Sequence, residues 1–163
     1  MKTTIFILLI FMVIVNACIL TYFYIDFKRG CEDYLKIAGD APNIERANQY
    51  LGHALDYIEA NKLTVGNTAI FFDTPDCDLS IWHEQLLGAK QTTDSILARS
   101  DVTQLEKDNA LMKLREVILD DGSSGAVVTC PNWITWYPKQ GRVLLWIICA
   151  WLGLIIYGLY WLN

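Results

Sequence analysis

Val143 to Leu162 reads VLLWIICAWLGLIIYGLYWL, twenty residues without a charge, a proline or a strongly polar side chain. At 1.5 Å rise per residue, twenty helical residues reach ~30 Å, the hydrocarbon thickness of a bilayer. A transmembrane helix is therefore expected over 143–162. At the other end of the chain, Thr4 to about Tyr24 is a second apolar run, with Lys2 the one charged side chain ahead of it. A cleaved signal peptide would use Lys2 as its basic start and Ile5 to Val15 as its apolar region. The run continues through Ile19, Leu20, Tyr22, Phe23, Tyr24 and Ile25, however, past the roughly 7–15 residues such a region holds. An uncleaved signal anchor over 4–25 is the expectation. Val15-Asn16-Ala17-Cys18 looks like a lipoprotein cleavage box that would lipidate Cys18, but Asn16 fits that box poorly and apolar residues follow Cys18.

Charge is partitioned in the same way. All eighteen Asp and Glu fall between Asp26 and Asp121, and of thirteen Lys and Arg only Lys2 lies outside the segment between the apolar runs. That segment carries a net charge of about −6, which repels phosphate backbones and argues against nucleic-acid binding. Its roughly 115 residues suffice for one core and not for two domains.

Within 26–139 the apolar periodicity is helical. Ile44, Ala47, Leu51, Ala54, Leu55 and Ile58 recur at three- and four-residue spacing after Pro42-Asn43, a helix start. A second helix is predicted after Thr74-Pro75-Asp76-Cys77-Asp78, capped by Asp76 or Asp78, with Leu79, Trp82, Leu86, Ala89 and Ile96 facing inward. A third starts at Ser100-Asp101, where Asp101 and Gln104 have capping-box spacing, and Gly122-Ser123-Ser124-Gly125 ends it. The first span is expected to run on through Phe27, Cys31, Tyr34 and Leu35 to Gly39. Helices at about 26–38, 44–62, 79–98 and 101–120 then give an all-α fold, an integral membrane hairpin whose two spans flank an up-and-down bundle, the first bundle helix continuous with the first span. Leu63 to Asp73 reads as an extended segment that tucks under the bundle, lies along the bilayer surface or forms a hairpin with 125–129.

That topology brings Cys31, Cys77 and Cys130 to one level of the bundle. A disulfide between Cys77 and Cys130, a metal site recruiting His83, or three ordinary thiols are the readings; no Cys-x-x-Cys or His-x-x-x-His spacing supports zinc. Lys28, Arg29, Lys36, Lys139 and Arg142 on the loop side of the spans would hold the loop in the cytoplasm by the positive-inside rule. A loop well beyond ~60 residues translocates largely regardless of charge, and Lys2 ahead of an apolar run is the usual start of an N-in anchor. An extracytoplasmic 26–139 segment in a bacterial inner membrane or its equivalent is the expectation.

Neither apolar run holds an ionisable residue, which leaves no candidate for a proton or ion path. Asn16 is the one strong hydrogen-bonding group at depth, a candidate contact to another helix. Trp133, Trp136 and Tyr137 on one side, with Tyr160 and Trp161 on the other, match interfacial anchors. His83-Glu84 lacks the second histidine of a metalloprotease helix, and neither a phosphate loop nor a Gly-x-Ser-x-Gly elbow occurs. Asp73, Asp76 and Asp78 surround Pro75 without the EF-hand pattern, so capping explains them more cheaply than calcium. No catalytic, cofactor or metal residues are assigned.

The order of span, helical bundle and span resembles the sensory ectodomain layout of bacterial chemoreceptors and histidine kinases. The likeness is one of architecture and rests on no motif; those families follow the second span with a signalling module, whereas this sequence ends at Asn163. The expected function is a non-enzymatic interaction module, an accessory subunit whose partners are the bilayer and another membrane protein or a second copy. A membrane-active protein of phage lysis, toxin or immunity type and a ligand-sensing bundle are the alternatives.

Overall fold

The computed structural model describes the backbone of residues 2–122, 125–138 and 140–162; the side chains of 2, 3, 5, 121, 122, 140, 142, 156 and 159–162 lie outside that description. The chain is mostly helical, as its periodicity predicts. It forms two compact units, Met1–Ile25 with Thr135–Asn163, and Asp26–Ile134.

The first unit pairs α1 (Lys2–Phe27) with α6 (Gln140–Leu162). Phe6 stacks on Tyr157 with ring centroids 5.3 Å apart, Leu9 faces Gly153, and Met12 shares a shallow groove of about 240 Å³ with Cys149 and Ala150. Rising numbers on α1 thus meet falling numbers on α6, an antiparallel pair. A methyl at Gly153 would approach Leu9 Cδ2 to 3.1 Å, so glycine here permits the close backbone approach that apolar helices use in place of a hydrophobic drive. Elsewhere the pair is apolar and bare: Ile7, Phe11, Leu145 and Trp151 are all more than 60% exposed. By length and composition Phe6–Gly39 is able to cross a membrane, and Val143–Ile155 is a shorter apolar stretch among the described residues.

The second unit begins without a break in helicity. A π-helical segment, Lys28–Glu32, follows α1 and leads into α2 (Asp33–Gly39). The chain then turns through Pro42 into α3 (Ile44–Ala60), where the Asn43 side chain accepts the Arg46 N–H at 2.9 Å. The predicted stripe is the buried one: Ile44, Ala47, Leu51, Ala54, Leu55 and Ile58. α3 ends with Lys62 in the left-handed region (φ 57°) and the Leu63 N–H bonded to Ile58 O at 2.8 Å, a closure that buries Leu63. α4 (Leu79–Leu97) is capped by Asp78, which accepts the Ser80 N–H at 2.7 Å.

α5 (Gln104–Ile118) starts later than the sequence suggests. The capping box is Thr103 with Glu106, not Asp101 with Gln104: the Thr103 hydroxyl takes the Glu106 N–H while Glu106 Oε2 takes the Thr103 N–H at 2.8 Å. Asp101 pairs instead with Arg99 at 3.3 Å. α2 packs on α3, α3 on α4, α4 on α5, and α5 returns to α2. Lys107 reaches Glu45 at 2.7 Å, Arg115 Nε donates to Gly39 O at 2.7 Å, and Asn48 bridges Thr93 and Asp94.

Two segments of this unit are not α-helical: a hairpin that begins where the third helix is expected to run on, and the stretch from Leu63, expected to be extended. Leu119–Gly122 (β1) pairs antiparallel with Gly125–Val128 (β2), so the hairpin partner of the valine-rich strand is the end of the third helical pattern and not Leu63–Asp73. Residues 63–78 form an Ω-like loop closed at its neck, where Asn67 bridges Asp78, the Thr68 N–H bonds Cys77 O and the Leu79 N–H bonds Gly66 O. Thr68 and Cys77 are buried beneath it, whereas Phe71 and Phe72 are 75% and 84% exposed.

Gly30 lies under the Tyr57 ring with no space for a methyl group, while the Tyr57 hydroxyl donates to Asp26 Oδ2 at 2.7 Å. Gly30→Ala should therefore destabilise the unit by about 1–3 kcal/mol through overpacking, and Tyr57→Phe by less, through one hydrogen bond. Chemical denaturation followed by circular dichroism in detergent checks the ranking; equal midpoints for Gly30→Ala and the parent protein would refute it.

Candidate functional site

The start of α4, the Pro75–Cys77 turn and the chain from β2 to Asn132 enclose an open groove of about 610 Å³ in the second unit. Trp82 forms its inner wall. Tryptophan is large and carries one N–H donor, so burying it requires an acceptor. Its indole Nε1 donates to Thr129 O at 2.8 Å, which ties the chain after β2 to the first turn of α4. The Thr129 N–H in turn bonds Ile118 O at 2.8 Å. Ile81 and Val127, both about half exposed, supply an apolar rim.

Three carboxylates line the same groove: Asp76, Asp78 and Asp120. Asp78 is committed to capping α4 and Asp76 projects from the turn before it. Asp73 holds the Asn67 amide, which also accepts the Ala69 N–H at 2.7 Å, so the acids around Pro75 do the work of turn and cap. Among the described residues, no group of three or more His, Cys, Asp or Glu is spaced to hold a metal. An apolar wall beneath a carboxylate rim suits a ligand with basic and apolar side chains, such as a segment of another protein.

No two cysteines lie at disulfide distance; Cys77 and Cys130 are separate thiols. The Thr74 hydroxyl sits 3.4 Å from Cys77 Sγ, whereas Cys130 is an electrostatic neighbour of Cys31. Burial pushes the Cys130 thiol up to about 12, with Glu32 adding to the rise. Burial raises the Cys31 thiol further still, helped by Cys130 and Glu32. Both stay protonated at neutral pH and make poor nucleophiles.

The remaining sequence candidates disperse. Trp133 is half exposed with φ 63°, Trp136 and Tyr137 are half-buried, and the side chains of Tyr160 and Trp161 lie outside the described residues. Asn16 is half-buried on α1. His53 is exposed and tilts against Tyr34 at 5.4 Å. His83 is half-buried, and its Nε2 is the one buried side-chain polar atom among the described residues without a hydrogen-bond partner. Sequence reasoning placed Trp82 in the core but missed the groove, because Asp76 and Asp120, which line it, are far apart in sequence. Compared with known proteins, the chain matches no family model, no curated protein and no solved structure.

The raised thiols make stability depend on alkali. A folded-state pKa above the unfolded value contributes stability that is complete below the unfolded pKa, ~8.5 for cysteine, and is lost as pH rises from there toward the folded value. Denaturation midpoints should fall between about pH 8 and 10, and Cys31→Ala should lower the midpoint at pH 7 while flattening that decline. An unchanged slope in Cys31→Ala would place the alkaline loss elsewhere.

Proposed function

We propose that α1 and α6 cross a bilayer as a two-span hairpin and that the acidic 26–139 segment is a non-enzymatic module that binds a protein partner through the groove beside Trp82. The observation that carries this reading is the groove itself: an open apolar wall with Asp76, Asp78 and Asp120 at its rim. The bare apolar faces of α1 and α6 support the spans, since soluble monomers rarely leave such contiguous surface to water. In this reading the protein is an accessory or assembly subunit of a membrane complex, and the module faces away from the cytoplasm.

The groove is tested by charge reversal. The full-length protein, cross-linked in its native membrane, should give one defined complex, and Asp76→Lys combined with Asp120→Lys should cut its yield at least tenfold. That corresponds to about 1.4 kcal/mol of binding free energy. Recovery of the parent protein solely as a monomer would sink the reading. Orientation is read separately from Met112→Cys, at a site 61% exposed on α5. A membrane-impermeant maleimide should label it in intact spheroplasts; labelling only after permeabilisation would put the module in the cytoplasm.

A further inference from the structure

The Ω-like loop ends in two adjacent phenylalanines whose exposure nothing in the groove explains. Phe71 and Phe72 are the two most exposed large apolar side chains among the described residues. They sit at the tip of a loop whose neck is well tied. Thr68 is fully buried and donates its hydroxyl to Cys77 O at 3.1 Å, the Cys77 N–H bonds Thr74 O at 2.9 Å, and Asp73 is held by the Asn67 amide. A neck ordered in this way presents its tip without needing to bury it.

The place of the loop in the second unit indicates what covers that tip. It leaves α3 at Asn61, one helical turn beyond Tyr57, and Tyr57 is bonded to Asp26 and stacked edge-on against Phe27 at 6.3 Å. Asp26 is the residue at which the apolar helix α1 passes into this unit. The opposite end of the bundle, around Asn43, Glu45 and Thr103, carries capping groups and the Lys107–Glu45 ion pair. The loop thus belongs to the end of the bundle where the membrane-crossing helix would emerge.

We propose that Phe71 and Phe72 dip into the headgroup and acyl boundary of the bilayer and serve as a third membrane contact beside the two spans. This rests on the reading of α1 as a span. Two aromatic rings on a fixed turn bury apolar area at an interface at low entropic cost. The acids nearby, Asp73 and Asp76, select against a strongly anionic leaflet, since each would be repelled within a Debye length of it.

The test places benzoylphenylalanine, a photo-cross-linking analogue, one site at a time at positions 72, 11 and 105 of the full-length protein in phosphatidylcholine proteoliposomes. Phe11 lies on α1 and Leu105 on the first turn of α5, and both are more than 60% exposed. Irradiation should add the mass of one phospholipid at positions 72 and 11 and nothing at position 105. A lipid adduct at position 11 with none at position 72 overturns the loop proposal and leaves the span standing. Equal adducts at 72 and 105 also overturn it, because contact would then not be confined to the loop. No adduct at either 11 or 72, with release of the protein by alkaline wash, removes the span and the proposal together. The same probes in native membranes give a second readout: a polypeptide joined to position 72 in place of lipid makes the loop a protein-binding site and refutes the bilayer contact.

Discussion

The bond between the Tyr57 hydroxyl and Asp26, laid over Gly30, is the constraint on which the second unit depends. It joins the last turn of α3 to the first residues of the unit, 31 positions earlier in the chain. Glycine is required beneath the ring because any Cβ would occupy ring volume. The π-helical segment Lys28–Glu32 spans the same place, and such segments, in which an i→i+5 bond widens one turn, mark local rearrangements of a helix face. Here the widened turn coincides with the change from exposed apolar residues on α1 to buried ones at Cys31, Leu35 and Ala38.

From that clasp the rest of the bundle is laid out by small residues and satisfied polar ones. Ala38, Ala47 and Ala54 are fully buried, which lets α2 and α3 approach while Leu51, Ile58 and Leu86 fill the centre. Thr93 is buried yet hydrogen-bonded twice, to Asn48 Oδ1 at 2.6 Å and to Lys90 O at 2.9 Å, so it avoids the cost of an unsatisfied hydroxyl. The ion pairs Lys90–Asp94 and Lys107–Glu45 lie at the surface with half-exposed carboxylates, where such pairs contribute roughly 0–1 kcal/mol. Register comes from the packed stripe; the ion pairs decorate it.

In the proposed reading the module works by recognition. Its Cys31 and Cys130 thiols are held protonated, its carboxylates cap turns and line a groove, and its two most exposed large apolar side chains among the described residues stand at one loop tip. In the proposed arrangement the groove and the phenylalanine tip divide the labour: the first binds a partner and the second contacts the bilayer. Both flank the Pro75–Cys77 turn.

Helical content, the α3 stripe, the Asn43 and Asp78 caps and the continuity of the first helix into the bundle were legible in the sequence, because each depends on residues within about four positions of one another. The capping box of α5 was misread by two residues, since Asp101-x-x-Gln104 and Thr103-x-x-Glu106 offer competing local patterns and the Arg99 contact removes Asp101 from the cap. The hairpin partner of β2 was missed because Leu119-Asp120 continues a helical pattern until the Thr129–Ile118 bond draws it into a strand. Likewise, only tertiary structure set Cys130 against Cys31 in place of Cys77, and Asp76 and Asp120 on one groove. Those pairs are far apart in sequence, and their meeting is set by how helices pack, which no local periodicity encodes.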